Sequence, residues 1–467
     1  MYLRRLDIEN LRSLEHVAFE PNVPGESKLT YSNVTLVLGN NGLGKTSVLR
    51  AVALAVLSPV IASSSGYVPY SLVRRVGPDR RHASIRAQVT LHREHHEGAG
   101  EHTFGIRLVT TSSSYVDRAV SEVEYVMGEA MWDEDSPAFL VVGYGAGRRT
   151  EAKDALGEQA RLKARALRYG RVAGLFEEAV SMVPLASWLP PLLASKPERH
   201  AEVIALIDAL VPNAELLARP VRGDYVFRCG LTELPFDALS DGYRAYIGWI
   251  ADLLYHICKG VPEGSRLVDT RGIVLVDEID LHLHPEWQRT VVPTLATTFP
   301  KLQFILTTHS PLVVGSVHRQ NVRVLLEDPA SDTNATILRE PLEETFGLSA
   351  DQILTGAHFG LTTTRNDAFL DELTEIAHRA ESDSEATLEF LEMLTGGARS
   401  REENLPAKRP SSSARTGPAP IPKRVVGADT PTRAALNRKK KIAPLGKRAS
   451  MPGKLPASPS AKARNSK

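Results

Sequence analysis

One segment, Gly39–Thr46, constrains the fold of this 467-residue chain more than any other. It reads GNNGLGKT, follows the apolar run NVTLVL and precedes TSVLRAVALAVL, so a buried strand and a helix are expected on its two sides. The pattern G-x-x-x-x-G-K-[ST] between a strand and a helix is typical of a P-loop, whose backbone N–H groups surround phosphates. The alternative is a glycine-rich turn that only happens to precede a lysine. We therefore expect an α/β fold that binds a nucleotide.

The P-loop residues have individual expected roles. The ammonium of Lys45 is expected to reach the β- and γ-phosphates, and the hydroxyl of Thr46 to bind Mg²⁺. ATP and Mg²⁺ are therefore the expected ligands. The residues expected to contact the nucleotide are Gly39, Asn40, Asn41, Gly42, Leu43, Gly44, Lys45, Thr46 and Ser47.

Two acidic residues follow a second buried strand. The run Ile273–Val276 delivers Asp277 and Glu278 to its C-terminal end, where open α/β sheets hold their ligands. Asp277 suits a Mg²⁺ shell, and Glu278 suits a base that orients and deprotonates an attacking water. Paired acids at a strand end are otherwise often only solvated. The strand FILTTHSP delivers His309 to the same edge, where its ring can contact the γ-phosphate.

The same acidic stretch continues as DLHLHPEWQ, which raises a metal-site hypothesis. Residues i and i+2 do not share a face of a helix, so His282 and His284 would chelate one ion only from a strand or an irregular loop. We predict instead a turn into the next helix, with Pro285 at its first position. A second histidine-rich segment is predicted to be a solvated loop rather than a metal site; it contains His92, His95, His96 and His102.

The hexapeptide LSDGYR, Leu239–Arg244, opens a predicted helix. A small hydroxyl residue, Ser240, and Gly242 at a helix N-terminus make an anion site. Alone, such a hexapeptide is more often a plain capped helix start. Its position before the strand that ends in Asp277 makes the functional interpretation stronger. The helix itself is predicted to bury one face, made of Tyr246, Ile247, Ile250, Leu253, Leu254 and Ile257.

The order of the predicted elements indicates the fold class. The N-terminal runs YLRRLDIENL, EHVAFEP, ASIRAQVTLH and EHTFGIRLVT alternate apolar and polar residues, as strands of an antiparallel lobe do. In the second half, strands alternate with helices, which predicts a mostly parallel sheet flanked by helices. From residue 151 to about 217 the pattern is helical, without sustained heptads.

Charge divides the chain into two parts. From Arg401 onward there are 17 Lys and Arg against three acids, so the tail carries about +14 and the preceding 400 residues about −13. The tail has ten prolines and no apolar periodicity, which predicts disorder. It could bind nucleic acid through phosphate contacts or serve as a solvated linker. The two cysteines, Cys229 and Cys258, argue against a disulfide framework, and no apolar run is long enough to span a bilayer, so a cytoplasmic location is expected.

Five motifs together resemble a known family. In order, ENLRS, GNNGLGKT, LSDGYR, VLVDEIDLHLHP and LTTHSP are similar to the ABC-type ATPase heads of the RecF, SMC and OLD-like group. The likeness is closest to the PtuA-like AAA-family ATPases of bacterial anti-phage Septu and retron systems, and it covers roughly residues 1–360. The resemblance implies a P-loop NTPase head in which two copies sandwich two ATP molecules.

The resemblance implies a role for each motif residue. Lys45 and Thr46 would hold nucleotide and Mg²⁺ together with Asp277; Glu278 would be the catalytic base, and His309 the γ-phosphate switch. Further implied contacts are those of Arg12 with nucleotide, of Ser240 and Gly242 with the site of the opposite subunit, and of Asp280 with the dimer interface. The usual Q-loop glutamine has two candidate positions, Gln88 and the segment VVGYGAGRR, and neither is assigned.

The resemblance also predicts a division of the chain. Expected are the N-terminal half of the head with the P-loop at 1–150, a helical insertion at 151–232, the C-terminal half of the head at 233–330, an acidic helical segment at 331–400 and a disordered basic tail at 401–467. The OLD group carries a Toprim nuclease after its head. No Asp-x-Asp follows an apolar strand after His309, so intrinsic nuclease activity is not expected.

Three functions remain open from the sequence. The first is a regulatory ATPase subunit of a defence complex, whose nucleotide state controls a partner nuclease, expected to be of the HNH type. The second is a RecF-like DNA-repair ATPase that acts as a nucleotide-gated clamp. The third is a module that holds ATP with negligible turnover, which the presence of Glu278 disfavours. An adjacent nuclease gene would favour defence, and adjacent replication or repair genes would favour repair.

Overall fold

The computed structural model describes residues 1–58, 67–68, 71–76, 81–92, 100–110, 117–122, 136–147, 170–177, 180–217, 225–357, 359–380 and 383–395. The chain divides into two compact units, Met1–Glu372 and Leu373–Lys467.

A six-stranded sheet forms the centre of the first unit. Its strands, in spatial order, are β15 (Thr336–Arg339), β14 (Val322–Glu327), β3 (Val34–Leu38), β13 (Leu302–Thr307), β12 (Gly272–Val276) and β8 (Val141–Tyr144). All neighbours are parallel except β15 and β14, which pair antiparallel. The carboxyl ends of the five parallel strands therefore meet at one edge of the sheet, as the alternation of strands and helices predicted.

The central sheet is buried on both faces. Successive residues of β12 belong to two different hydrophobic clusters, because side chains alternate across a strand: Val274 and Val276 face one cluster, Ile273 and Leu275 the other. The first cluster contains the helices α2 (Leu185–Ser195), α3 (Pro197–Leu210), α4 (Asp241–Gly260) and α6 (Val291–Thr298). The second contains α1 (Lys45–Val56) and residues of an antiparallel sheet.

That second sheet is the predicted N-terminal β-lobe. Its strands, in spatial order, are β2 (Leu14–Phe19), β1 (Tyr2–Leu11), β5 (His82–Leu91), β6 (Gly100–Thr110), β7 (Asp117–Ser121) and β4 (Tyr67–Val68). Every pair in it is antiparallel. The strand pair predicted around the histidine-rich loop is confirmed as β5 and β6. His95 and His96 of that loop lie outside the described residues.

The segment predicted as a helical insertion, 151–232, is only partly helical. Residues 151–169 lie outside the described part of the chain. After them come α2 and α3, but then β9 (Glu215–Leu216) and β10 (Val226–Cys229), which form a three-stranded antiparallel sheet with β11 (Thr232–Pro235). The helical prediction fails here because Tyr225, Val226 and Phe227 are buried one after another, as aromatic and β-branched residues are in strands.

Helix α4 buries the face that its sequence predicted. The six apolar residues of that face are all at most 2% exposed: Tyr246, Ile247, Ile250, Leu253, Leu254 and Ile257. Two short helices follow at the same edge of the central sheet, α5 (Pro285–Gln288) and α7 (Pro311–Val314). Pro285 is the first residue of α5, as predicted.

The central sheet extends past residue 330, where the head was predicted to end. Chain reversal after β14 returns β15 antiparallel to it, so the first part of the predicted helical segment 331–400 is a strand. Helix α8 (Ala350–Thr355) follows, and then α9 (Asp367–Ala380) and α10 (Ser384–Thr395), which are acidic as expected. The basic tail, 401–467, lies outside the described residues. Of the helices described, none is long and apolar enough to cross a membrane.

Candidate functional site

A cavity opens at the carboxyl ends of β3, β12 and β13, beside the N-terminus of α1. Four segments contribute to it: the β1–β2 turn, the P-loop with the start of α1, the end of β12 and the end of β13. The residues that line it are Arg12, Ser13, Asn41, Gly42, Gly44, Lys45, Thr46, Ser47, Asp277, Glu278 and His309. Most of the residues singled out from the sequence are therefore brought together in one place.

The P-loop turns tightly between β3 and α1. Gly44 is the N-cap of α1 and has φ 104°, a left-handed conformation that favours glycine. A Cβ at this position would lie 2.7 Å from the Ser13 hydroxyl, so any other residue would collide with the β1–β2 turn. Ser13 donates a hydrogen bond to the Leu43 carbonyl (2.9 Å), which fixes the loop against that turn.

Lys45 is held from inside the loop. Its side chain is 7% exposed, and its Nζ donates hydrogen bonds to the carbonyls of Gly39 (2.7 Å) and Asn40 (3.2 Å). Burial lowers the pKa of Lys45, and the negative charges of Asp277, Glu278 and Asp280 act in the opposite direction. Gly39, Asn40 and Leu43 thus do not line the cavity themselves, but their carbonyls place the groups that do.

Asp277 and Thr46 form an oxygen-rich pair on the cavity floor. The Thr46 hydroxyl donates to Asp277 Oδ2 at 2.7 Å. Asp277 is 5% exposed, and its backbone N–H donates to the Tyr144 carbonyl at 2.8 Å. A hydroxyl and a carboxylate beside a phosphate-binding loop are the donors that Mg²⁺ takes in nucleotide sites. The residues present therefore fit the ion that was expected here.

Thr307, the last residue of β13, joins the two acids, although no motif in the sequence pointed to it. Its hydroxyl donates to Asp277 Oδ1 (2.5 Å) and accepts a hydrogen bond from the Glu278 N–H (2.8 Å). Its carbonyl accepts from the Ile279 N–H at 2.9 Å. The signal that could have found it is a buried Thr two residues before the cavity histidine, on a strand parallel to β12.

Two non-glycine residues of the cavity have left-handed backbone conformations. Arg12 and Glu278 both have φ 49°. Non-glycine residues in this region cost about 1–3 kcal/mol and occur where the surrounding structure fixes them. Arg12 is fixed by its N–H, which donates to the Leu72 carbonyl, and by its own carbonyl, which accepts from Arg74 Nη1 (both 2.8 Å). Thr307 fixes Glu278.

The loops after β12 and β13 are joined by Asp280. Its carboxylate accepts hydrogen bonds from the Thr308 hydroxyl and from the His309 N–H (3.3 Å). Asp280 was expected at a dimer interface; within one chain it positions the backbone of His309.

Ser240 and Gly242 do not line the cavity. Ser240 is the exposed N-cap of α4, and its side chain makes no capping hydrogen bond. A Cβ on Gly242 would lie 2.9 Å from the His282 carbonyl, so the start of α4 touches the loop after β12. The prediction that these residues complete the site of a second subunit stays a prediction.

The two Q-loop candidates differ in location. Gln88 is an exposed residue in the middle of β5. The segment VVGYGAGRR begins with β8, whose last residue, Tyr144, lies beside Asp277 at the cavity edge. Only the second candidate therefore reaches this edge, and its last residues, 148 and 149, lie outside the described part.

The histidines of the DLHLHP segment lie at the turn into α5. His284 is the N-cap of α5, and its ring Nδ1 accepts a hydrogen bond from the Glu286 N–H at 3.4 Å. Among the described residues, no group of three or more His, Cys, Asp or Glu side chains is placed to hold a metal ion.

Sequence comparison finds relatives that share these motifs. Residues 193–315, from the last turn of α2 to just after α7, match the family described as "AAA domain, putative AbiEii toxin, Type IV TA system". The chain is 26% identical over 373 residues to "Septu protein PtuA" of Bacillus mycoides (strain KBAB4), which covers 80% of this chain and 46% of that protein. It is 38% identical over 123 residues to "Retron Vc95 probable ATPase" of Vibrio cholerae serotype O1 biovar El Tor, covering 26% of this chain and 23% of that protein.

The chain thus spans less than half the length of these curated relatives. Among solved structures, it aligns with "SMC head domain from Thermotoga maritima" with a TM-score of 0.40 and 16% identity, over 73% of this chain and 100% of that one. The sequence similarities confirm the predicted resemblance to the PtuA-like ATPases of Septu and retron systems.

Proposed function

We propose that this chain is an ATP-binding and ATP-hydrolysing ABC-type subunit. One observation carries the proposal: Lys45, Thr46, Asp277, Glu278 and His309, from three separate segments, line one cavity at the N-terminus of α1. Backbone N–H groups of the P-loop and the positive end of the helix dipole favour phosphate there.

Each residue has a distinct part in the proposed reaction. Lys45 and Arg12 provide positive charge for the phosphates, and Thr46 and Asp277 would hold Mg²⁺, which neutralises phosphate charge when bound. Glu278 orients the attacking water and accepts its proton. His309 faces the same cavity and would contact the γ-phosphate. These roles are supported by the positions of the side chains in the cavity.

Two heads are proposed to pair around the nucleotides. The cavity lies at the edge of the sheet, and Ser240 and Gly242 lie outside its lining, at the start of α4. A head-to-head arrangement would bring the start of α4 of one subunit over the cavity of the other. Support comes from the match of LSDGYR to the corresponding motif of paired ABC-type heads.

In the cell, the proposed role is control of an effector nuclease in anti-phage defence. The similarity to a Septu PtuA protein and to a retron ATPase supports this assignment. The partner is proposed to be a separate nuclease of the HNH type, and nucleotide binding or hydrolysis would gate it. The expected readout is co-purification of the chain with the product of an adjacent nuclease gene.

A second candidate is a RecF-like repair ATPase that clamps DNA. The basic tail, with about +14 charge, favours it because neutralising phosphates drives DNA binding. Deleting residues 401–467 should weaken duplex binding at low salt if the tail contacts DNA. Unchanged binding would leave the tail as a linker and remove the observation on which this candidate depends.

The decisive experiment compares ATP turnover and oligomeric state in the parent and in Glu278→Gln. Loss of a general base reduces turnover by about 10²–10⁴-fold while leaving nucleotide binding intact. ATP should then trap Glu278→Gln as a dimer in light scattering, whereas the parent should return to its starting state. A matched control is Glu327→Gln, an exposed acid at the end of β14, another strand of the central sheet. Equal turnover in parent and Glu278→Gln would contradict the proposal.

A further inference from the structure

A buried carboxylate outside the cavity connects three elements of the first unit. Asp252, in the middle of α4, is 4% exposed. Its Oδ2 accepts a hydrogen bond from the Tyr144 hydroxyl (2.8 Å) and lies 3.4 Å from His256 Nε2, and its Oδ1 accepts from the Val183 N–H (2.7 Å). A buried charge is costly unless it is paired and hydrogen-bonded. Here partners from β8, from the chain before α2, and from α4 itself satisfy the carboxylate.

The charge state of Asp252 agrees with this arrangement. Burial disfavours the charged carboxylate, but His256 and the hydrogen bonds from His256, Val183 and Tyr144 outweigh it, so the pKa of Asp252 lies below its ordinary value. At neutral pH the group is therefore a carboxylate, which accepts hydrogen bonds and donates none. Both of its oxygens are engaged, which fixes the orientation of the side chain.

Tyr144 links this carboxylate to the catalytic edge. It is the last residue of β8, and its backbone carbonyl accepts the N–H of Asp277 at 2.8 Å. Its ring is 4% exposed and packs 5.7 Å from the ring of Trp249 on α4. One residue thus touches α4 with its side chain and the metal-binding aspartate with its backbone.

The end of β8 is also fixed from its other side. A Cβ on Gly143 would lie 2.6 Å from Leu175 Cδ1, and a Cβ on Gly145 would lie 2.1 Å from the Gly174 carbonyl oxygen. The chain around residue 174 therefore packs directly on the backbone of the strand end. The Tyr144 side chain is a hydrogen-bonded contact between α4 and this held strand end.

We infer that Asp252 is a positioning residue that couples α4, through Tyr144, to the strand end that holds Asp277. The inference rests on the proposed function, because Ser240, the N-cap of α4, is assigned there to the opposite subunit's site. Between Ser240 and Asp252 the helix is continuous and spans about 18 Å at 1.5 Å per residue. Nucleotide bound in the cavity of a second subunit would contact the start of α4 in the first subunit. Through α4 and Tyr144 it would then act on the Asp277 edge of that first subunit. Each subunit would in this way sense the nucleotide in the opposite site.

A purely structural role makes a different prediction. If the network only stabilised the fold, removing any buried hydroxyl from this aromatic cluster would have the same consequence. Tyr246 provides that comparison: it lies on α4, is 2% exposed, and its ring also packs 5.7 Å from Trp249. Its hydroxyl, however, donates to the Leu210 carbonyl (3.0 Å) at the end of α3 and not to β8.

The test compares Tyr144→Phe and Asp252→Asn with Tyr246→Phe in the full-length protein. Turnover, ATP affinity and thermal unfolding are measured for each, with hydrogen exchange of the peptide that contains the Asp277 amide. We expect Tyr144→Phe to lower kcat by roughly 5-fold or more, the low end of typical coupling between sites, with ATP affinity little changed. The exchange of the Asp277 region should accelerate in Tyr144→Phe and not in Tyr246→Phe.

The outcomes separate the coupling from the proposed function. Equal kcat and equal exchange in the two tyrosine variants would overturn the coupling, even if both unfold at a lower temperature than the parent. If the parent shows no turnover that depends on Glu278, the proposed function fails, and the exchange comparison alone decides whether α4 positions the strand end. Should Asp252→Asn not fold, the two tyrosine variants still give the answer. In the double variant Tyr144→Phe with Asp252→Asn, turnover should be no lower than in the worse single variant.

Discussion

The cavity and the start of α4 are built in opposite ways. In the cavity, Lys45 and Asp277 are buried and each makes several hydrogen bonds within the same chain. At the start of α4, Ser240 is exposed and its hydroxyl does not cap its own helix. Side chains whose hydrogen bonds are made within their own chain are positioned without a second subunit. An exposed polar group at a helix N-terminus is available to a ligand or a second subunit. The proposed pairing of heads uses this difference: the cavity would bind nucleotide within one chain, and the start of α4 would complete the cavity of another.

The largest effect is expected from removing the positive charge of Lys45 from the cavity. Lys45→Met keeps the length of the side chain but loses the ammonium that Gly39 and Asn40 hold. We expect turnover to fall by about 100-fold or more, as when an electrostatic donor to a transition state is removed, and ATP affinity to fall with it. Lys301→Met, at a half-exposed lysine before β13, is the control. Equal activity in both variants would mean that the cavity does not bind the phosphates.

Thr307→Val tests whether the buried part of the site depends on internal hydrogen bonds. The substitution keeps the shape of the side chain and removes the hydroxyl shared by Asp277 and the Glu278 N–H. Leaving a buried donor and a carboxylate oxygen unsatisfied should cost about 1–3 kcal/mol of unfolding free energy.

Turnover of Thr307→Val should fall by roughly 10-fold or more, because a misplaced catalytic group loses its alignment. Denaturant unfolding and steady-state kinetics measure the two effects. Thr297→Val, at an exposed position of α6, should change neither. If Thr307→Val were as active as the parent, the turn at Glu278 would be held by other contacts.

The geometry of the site shows what a sequence can predict about this fold and what it cannot. The P-loop, Asp277, Glu278 and His309 were predictable because each follows a buried apolar run, and parallel strands place their carboxyl ends at one edge. Thr307 was not, because its role depends on which strand neighbours β12. Local letters do not give that order.

The same limit explains the other differences. Tyr144 and Asp252 are 108 positions apart, and no local pattern reports that their side chains meet. Residues 225–227 and strand β15 were included in helical segments because neighbouring helices set the apparent periodicity there. Pairing with distant strands decided these segments, as tertiary context commonly does for β-structure.

The role of the exposed start of α4 can be tested by mixing two chains with impaired turnover. Ser240→Arg should block the surface that one subunit offers to another. The arginine would clash sterically with the opposite cavity and repel the positive charges of its Lys45 and Arg12. We expect turnover to fall by about 10-fold or more. ATP affinity of the separate chain should stay near the parent value, because Ser240 does not line its own cavity.

A mixture of Ser240→Arg and Lys45→Met chains contains mixed dimers with one intact composite site. The cavity then comes from the first variant and the start of α4 from the second. We expect the mixture to recover part of the parental turnover, up to about a quarter if chains pair at random and each intact site acts independently. No recovery, with mixed dimers present by mass spectrometry, would contradict a site completed between subunits.

The smallest expected effect is a change in the rate of thiol labelling at the two ends of α4. Burial raises the pKa of the Cys258 thiol to about 12, so at pH 8 it is almost entirely protonated and should react slowly with maleimide. Its labelling should rise with pH, because the thiolate is the reactive form.

A cysteine placed at the exposed position, Ser240→Cys in a Cys229→Ser background, should react quickly. In chains that also carry Glu278→Gln, ATP should slow the labelling at position 240 and leave Cys258 unchanged, since only the first lies on the surface that a second subunit would cover. If ATP protected neither thiol, the start of α4 would stay open to solvent in the nucleotide-bound state, and the difference between the two regions would not reflect pairing of heads.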